Sequence, residues 1–263
     1  MLEPNDIAFR MLCKKAGAGL VYTGMVSPLT KDEIVLDDKP AIQIFCNTPR
    51  GVREFIKKYD KKVSLWDLNL GCPSDLAKKH GFGCYLHPKI GEIEKILQEM
   101  RKTTKKPITI KIRISNRTCE IIKIAEKYCD AICIHPRTKE QGYSGQPDIE
   151  FARKVKKEIG IPLIYSGNVN EKNAQALLKE FDFVMVGRSA IGNPNIFAKL
   201  NNSKVIKNPF KDYLKLAKKY KLKFAQIKTQ SMNFTKGIKG AGKIREKLSK
   251  AKTIEEIEKI YGF

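Results

Sequence analysis

Seven short apolar runs, each separated from the next by a charged stretch of helical pattern, constrain this chain more than any other feature. The runs cover 19–25, 41–46, 65–70, 108–114, 131–136, 161–169 and 183–187. Helices are predicted over 7–15, 49–59, 91–103, 119–128, 148–159 and 171–180. Strand–helix alternation requires a parallel sheet, and so many units in roughly 200 residues predict an α/β chain built as a TIM (β/α)8 barrel. Eight strands close such a barrel, but the helix over 7–15 leaves no room for one before it. The first strand is therefore expected to be missing or truncated, through an upstream start or a vestigial strand reduced to Met1. An open doubly wound sheet is the alternative, although no Gly-rich dinucleotide fingerprint follows an early strand. After about residue 200 the β pattern stops. A polar, Pro-containing linker over 201–209 leads into helical segments over 213–231 and 241–260, broken by a glycine-containing turn near 237–242. The expected division is a barrel domain over 1–200 and a small helical domain over 204–263.

Charge narrows the partner. The chain has 263 residues, 51 Lys and Arg against 28 Asp and Glu, and a formal net charge of +23. Heat adaptation would raise Glu along with Lys to build ion-pair networks, so the excess points to a polyanion, usually nucleic acid. From 204 to 263 there are 17 basic and 5 acidic residues, a net +12 and about half the total. A charge run is ordinarily a solvated helix face. Here Tyr213, Tyr220, Phe224 and Phe234 interleave with it, which favours RNA or DNA contact. No uncharged apolar run is long enough to span a bilayer, and no amphipathic terminal helix argues for lipid, so no membrane partner is expected. The N-terminus has neither a basic segment nor an apolar one, and a cytoplasmic location is expected. Seven cysteines, an odd number without a CxxC pair, suggest neither a disulfide framework nor a metal site.

The chemistry concentrates at strand ends. In Trp66-Asp67-Leu68-Asn69-Leu70-Gly71-Cys72-Pro73 the apolar and polar residues alternate, then Gly71 permits a sharp turn and Pro73 ends the strand. Cys72 is thereby presented at a carboxyl end, where parallel α/β folds place their chemistry. The competing reading makes Cys72 a packed hydrophobe and Asn69 a turn former. Ile108–Ile114 carries Ile at every even position, with Thr109, Lys111 and Arg113 between them. Lys and Arg on a lumen face require an anionic or electron-rich ligand; otherwise the strand is an edge wetting its polar side. His135, followed by Arg137 on the presumed rim, suits anion or cofactor binding, against a purely structural hydrogen bond. Ser166-Gly167-Asn168 and Gly187-Arg188 end successive strands, where barrel loops commonly hold phosphate. Gln43, an isolated amide in an apolar strand, needs a buried partner, which a flat heteroaromatic ring could supply.

Together these strings resemble the tRNA-dihydrouridine synthases. The resemblance runs through Phe9–Cys13, Thr23–Val26, Ala41–Phe45, Asn69–Pro73, Gly81–Gly83, Lys111–Arg113, His135–Thr138 with Gln141–Gly145, and Gly187-Arg188 with Gly192–Pro194. Lys236–Gly240 and the helix after it look like the family's small tRNA-binding domain. The Asn69–Pro73 and His135–Gly145 strings are specific; the glycine pairs are not. The resemblance implies an FMN-dependent enzyme that reduces uridines of tRNA with NADPH or NADH. It implies Gln43 and Lys111 on the isoalloxazine ring, His135 in the FMN site, and Ser166, Gly167, Asn168, Gly187 and Arg188 around the phosphate. Asn69, Arg113 and Arg137 would meet the flipped uracil, and Cys72 would protonate it. The reaction adds hydride at C6 and a proton at C5, and a thiol of about pKa 8.5 can serve as general acid at neutral pH. Two departures stand out: the family's first strand, ending in Ala-Pro-Met, is missing or reduced to Met1, and Cys84-Tyr85 replace small residues. An FMN-dependent barrel acting on free dihydroorotate or a dihydropyrimidine and a non-catalytic RNA-binding barrel are the rival readings. The first leaves the basic tail unexplained, and the second predicts a colourless protein.

Overall fold

The polar and apolar alternation places seven strands in one sheet. The computed structural model describes residues 5–263; the expected remnant of a first strand at Met1 lies outside them. Among the described residues the strands are β1 (Tyr22–Val26), β2 (Ala41–Ile44), β3 (Leu65–Leu70), β4 (Ile108–Ile114), β5 (Ala131–Thr138), β6 (Leu163–Ser166) and β7 (Phe183–Met185). Their spatial order is their sequence order, and β2 to β7 pair in parallel, each with the next. The fold is α/β and TIM-barrel-like.

The helices are α1 (Ile7–Lys15), α2 (Val52–Tyr59), α3 (Asp75–His80), α4 (Ile90–Thr103), α5 (Thr118–Tyr128), α6 (Ile149–Glu158), α7 (Ala174–Glu180), α8 (Ile196–Leu200), α9 (Pro209–Lys219), α10 (Phe224–Phe234), α11 (Ala241–Lys250) and α12 (Ile254–Tyr261). In α4 the buried residues Ile93, Ile96, Leu97 and Met100 recur at helical spacing, so one stripe faces inward. Ile108, Ile110 and Ile112 of β4 and the Trp66–Leu68–Leu70 face of β3 are fully buried.

Several boundaries differ from expectation. β5 continues two residues past Pro136, because a register irregularity after Arg113 puts the proline where no ladder bond is required. The single helix expected over 213–231 is two, α9 and α10, separated where Lys221 takes a positive φ of 50°. The helix expected over 241–260 likewise divides, since the Thr253 side chain caps a new one by accepting from the Glu256 amide. Helices α3 and α8 were not anticipated; both are shorter than two turns and carry little periodicity.

The described residues form two compact units, 25–187 and 5–24 with 188–263. In the second unit, Asp6 caps α1 by accepting from the Phe9 amide. It also accepts from Gln230 of α10 at 2.8 Å and from Tyr213 of α9 at 3.4 Å. Phe210, Tyr213, Phe234 and Tyr261 form its aromatic core, with Phe210 and Tyr261 centroids 4.0 Å apart. Two of the four aromatics expected to face nucleic acid, Tyr213 and Phe234, are thus buried packing residues. Their spacing in the helices is that of a core stripe.

Candidate active site

In a parallel sheet, partners in register project from the same face. Gln43, Asp67 and Thr109 form one inward row, Asn69, Lys111 and Cys133 the next, and Arg113 and His135 a third. The rows climb toward the carboxyl ends of the strands. Every polar side chain in the first row is buried.

Asn69 shapes the end of β3. Its Oδ1 accepts from the amides of Gly71 at 3.1 Å and Cys72 at 3.0 Å. Its Nδ2 donates to Gln43 Oε1 at 2.8 Å and meets Met25 Sδ at 3.1 Å. The turn after Asn69 leaves Cys72 half-buried, with Sγ 3.2 Å from Ser74 Oγ. It packs beside Met25, Ala77 and Phe82, together with Phe45 and Tyr85. Gly83 is bound to this turn: its φ is +61°, and a Cβ there would lie 2.6 Å from the Cys72 carbonyl oxygen. Cys84 donates its amide to that same carbonyl at 3.1 Å.

Cys13, Cys84, Cys129 and Cys133 are buried, while Cys46, like Cys72, is half-buried. Desolvation pushes Cys13, Cys46 and Cys133 up to about 12 and Cys84 up to about 11, and it raises Cys129 as well. Cys119 is exposed in the first turn of α5, five residues past the end of β4.

The two arginines expected at the substrate are buried struts. Arg113 donates to the carbonyls of Gly71 at 2.9 Å, Thr138 at 3.1 Å and Gly142 at 2.6 Å, and lies over the Tyr143 ring. Arg137 donates to Ser144 and Gly145 carbonyls at 3.1 and 2.6 Å, with His135 Nε2 at 3.0 Å. Between them they fasten the loop after β5, and Arg113 ties it to the Cys72 turn.

Two residues absent from the sequence-derived site support it. His87 is buried, with Nε2 2.6 Å from the Leu70 carbonyl and Nδ1 2.8 Å from Ser115 Oγ. A carbonyl only accepts, so Nε2 carries the proton; burial also lowers the pKa, and the ring is neutral. Asp67 is fully buried and accepts from Gln43 Nε2 at 2.6 Å and from Thr109 Oγ1. Its signal in the sequence was a carboxylate on the inward face of β3.

At the end of β6, Gly167 has φ +152° and Asn168 φ +50°. A Cβ on Gly167 would stand 3.2 Å from Pro147 and 3.4 Å from the His135 ring. The polar inward rows, Lys111 among them, and the tight turn beside His135 suit a ligand with one hydrogen-bonding ring and one phosphate. Gly187 follows β7; Arg188 opens a one-turn 3-10 segment in the second unit, where its carbonyl accepts from Lys236 at 3.4 Å.

A family model for dihydrouridine synthase matches residues 1–259. The chain belongs to the dihydrouridine synthase family. It is a flavin-dependent oxidoreductase. A probable tRNA-dihydrouridine synthase of Aquifex aeolicus is 28% identical over 98% of this chain and 92% of its own length. A probable tRNA-dihydrouridine synthase of Rickettsia bellii is 32% identical over 75% of this chain and 68% of its own. Among solved structures, a variant of NCR from Zymomonas mobilis superposes with a TM-score of 0.53 at 13% identity, covering 80% of this chain and 84% of that one. The 6-hydroxypseudooxynicotine amine oxidase of Pseudomonas geniculata gives 0.56 at 9% identity, over 74% and 44%. Those two likenesses speak to the fold alone.

Proposed function

We propose that this synthase reduces the C5=C6 bond of uridine in tRNA, with FMN as resident flavin and NADPH or NADH as reductant. The observation that carries the reading is the half-buried Cys72 thiol, held at the end of β3 by Asn69 beside the inward Gln43 and Lys111 positions. When bound, the reduced flavin supplies hydride to C6. Cys72 Sγ delivers the proton to C5, the step that quenches the enolate. Lys111 holds a cation where negative charge develops, and Gln43 presents an amide to the ring. His135 and the Ser166–Asn168 turn hold the cofactor's anionic end; for Gly187 and Arg188 the phosphate role rests on the motif alone. Asn69 lines the uracil, and Arg113 and Arg137 act from behind by fixing the loop over 138–145.

The tRNA grip is assigned to residues 204–263. Of their 17 Lys and Arg, all but Lys228 are exposed, and five acidic residues can neutralise only a minority. Unstacking the target base costs a few kcal/mol, which many phosphate contacts offset. Truncating this segment would strip α1 of Gln230 and Phe234, so charge reversal in the full chain is the better probe.

The direct test is the purified protein, FMN, NADPH and an unmodified tRNA transcript, with nucleoside mass spectrometry for the gain of two hydrogens. Dihydrouridine at defined positions is expected. No dihydrouridine, or equally fast reduction of a free pyrimidine, overturns the assignment.

A further inference from the structure

We infer that Asp67 is a positioning residue for the thiol: it sets the direction of a hydrogen-bond chain, Asp67–Gln43–Asn69, that ends on the backbone amides of Gly71 and Cys72. The inference rests on the reading of Cys72 as the proton donor.

A side-chain amide has a donor end and an acceptor end, and either can face a given neighbour. A carboxylate accepts only. With Asp67 Oδ2 at 2.6 Å, Gln43 must present its NH2 group there, which turns Oε1 toward Asn69. Asn69 must then present its NH2 group to that oxygen, at 2.8 Å, which turns Oδ1 outward along the strand. The chain finishes on two backbone N–H groups, which only donate, at 3.1 and 3.0 Å. An accept-only group at one end and donate-only groups at the other leave a single arrangement in which every contact pairs a donor with an acceptor. Reversing either amide sets donor against donor or acceptor against acceptor.

The remaining oxygen of Asp67 accepts from Thr109, so both of its oxygens are engaged. An asparagine at 67 has a single acceptor, so serving Gln43 with it turns the NH2 group on the Thr109 hydroxyl, which must then rotate and give up its own donation. Packing alone does not call for a charge here, since Asp67 is fully buried and a buried carboxylate is rarely a net gain in stability. Desolvation raises it to about 6, opposed by Thr109, Gln43 and the positive charge of Lys111.

The test uses full-length protein without flavin or tRNA and follows alkylation of Cys72 by iodoacetamide, with peptide mass spectrometry to separate the seven cysteines. Asp67→Asn is expected to change that rate about threefold or more, within the range of coupling through a hydrogen-bond network. In the FMN-loaded enzyme it should lower kcat about 10- to 100-fold with KM for tRNA retained, the signature of a displaced reacting group. The double variant Gln43→Glu with Asp67→Asn transposes the carboxylate: Asn at 67 donates to Glu at 43, which accepts from Asn69 as before. It should restore the alkylation rate to within about twofold of the parent, a non-additive result that lost packing does not produce. An unchanged rate in Asp67→Asn, or a double variant no better than the single, overturns the proposal. If Asp67→Asn does not fold, the double variant decides alone, since its alkylation rate must match the parent. A protein inactive on tRNA whose alkylation follows this pattern would sink the functional reading and leave the chain standing.

Discussion

The inward rows of β2–β5 and the helices after residue 204 use polar groups in opposite ways. In the sheet, Gln43, Asp67, Asn69, Arg113 and Arg137 are buried and spend their hydrogen bonds on one another or on loop carbonyls. In the helices the charges stand outside, most of them without an acidic partner to match, and the rings of Phe210, Tyr213 and Phe234 fill the inside. The first arrangement fixes atoms to within a hydrogen bond. The second supplies a field, whose effect depends on number and sign more than on placement. Proton delivery needs the former and a polyanion the latter.

The largest expected effect belongs to the first region. Cys72→Ala should lower single-turnover reduction of tRNA by about 10²- to 10⁴-fold, the usual contribution of a general acid, while flavin absorbance and tRNA affinity persist. Normal turnover would remove the thiol from the mechanism. Phe234→Ala tests the second region from the inside. It should cost about 3–5 kcal/mol in denaturant unfolding, whereas Phe224→Ala, only half-buried, should cost far less. Equal costs, or a specific loss of tRNA binding in Phe234→Ala, would restore a nucleic-acid role to that ring.

Asp67 contrasts position with stability. Its carboxyl is raised to about 6 in the fold, against about 3.9 in an unfolded chain. Folding therefore takes up a proton between those values. The stabilising contribution is complete below about pH 4 and is lost as pH rises through about 6, amounting to about 3 kcal/mol. The stability of Asp67→Asn relative to the parent should rise by about that amount between pH 4 and pH 7, in urea unfolding at each pH. A flat difference would mean the carboxyl is not desolvated. Smallest per residue is the surface term. Reversing Lys239, Lys243 and Lys247 to Glu should weaken tRNA binding and flatten its salt dependence, by roughly 0.7 in slope per lost contact to a single strand. Cys72 alkylation should not change. A salt slope equal to the parent's would move the tRNA surface elsewhere.

Strand positions were legible because they are local. Leu65–Leu70 and Ile108–Ile114 run as period-two patterns, and the structure keeps both. The turn that carries Cys72 was legible for the same reason, since Gly71 and Pro73 act on their immediate neighbours. The tail was less so: Lys221 and Thr253 divide two expected helices at points where the apolar pattern continues. Arg113 and Arg137 were readable as cations facing a ligand, but their engagement with carbonyls of the loop over 138–145 required that loop's path.

The order of residues by itself determined which side chains share a face of each strand and which thiol stands at a strand's end, because alternation and turn chemistry act within a few residues. Only the tertiary structure decided what those side chains face. Asp67 became the origin of a directed chain because β2 lies in register beside β3, bringing Gln43 opposite it from 24 positions away in sequence. Hydrogen bonds act over about 3 Å, so their partners are set by strand register, which no single segment encodes.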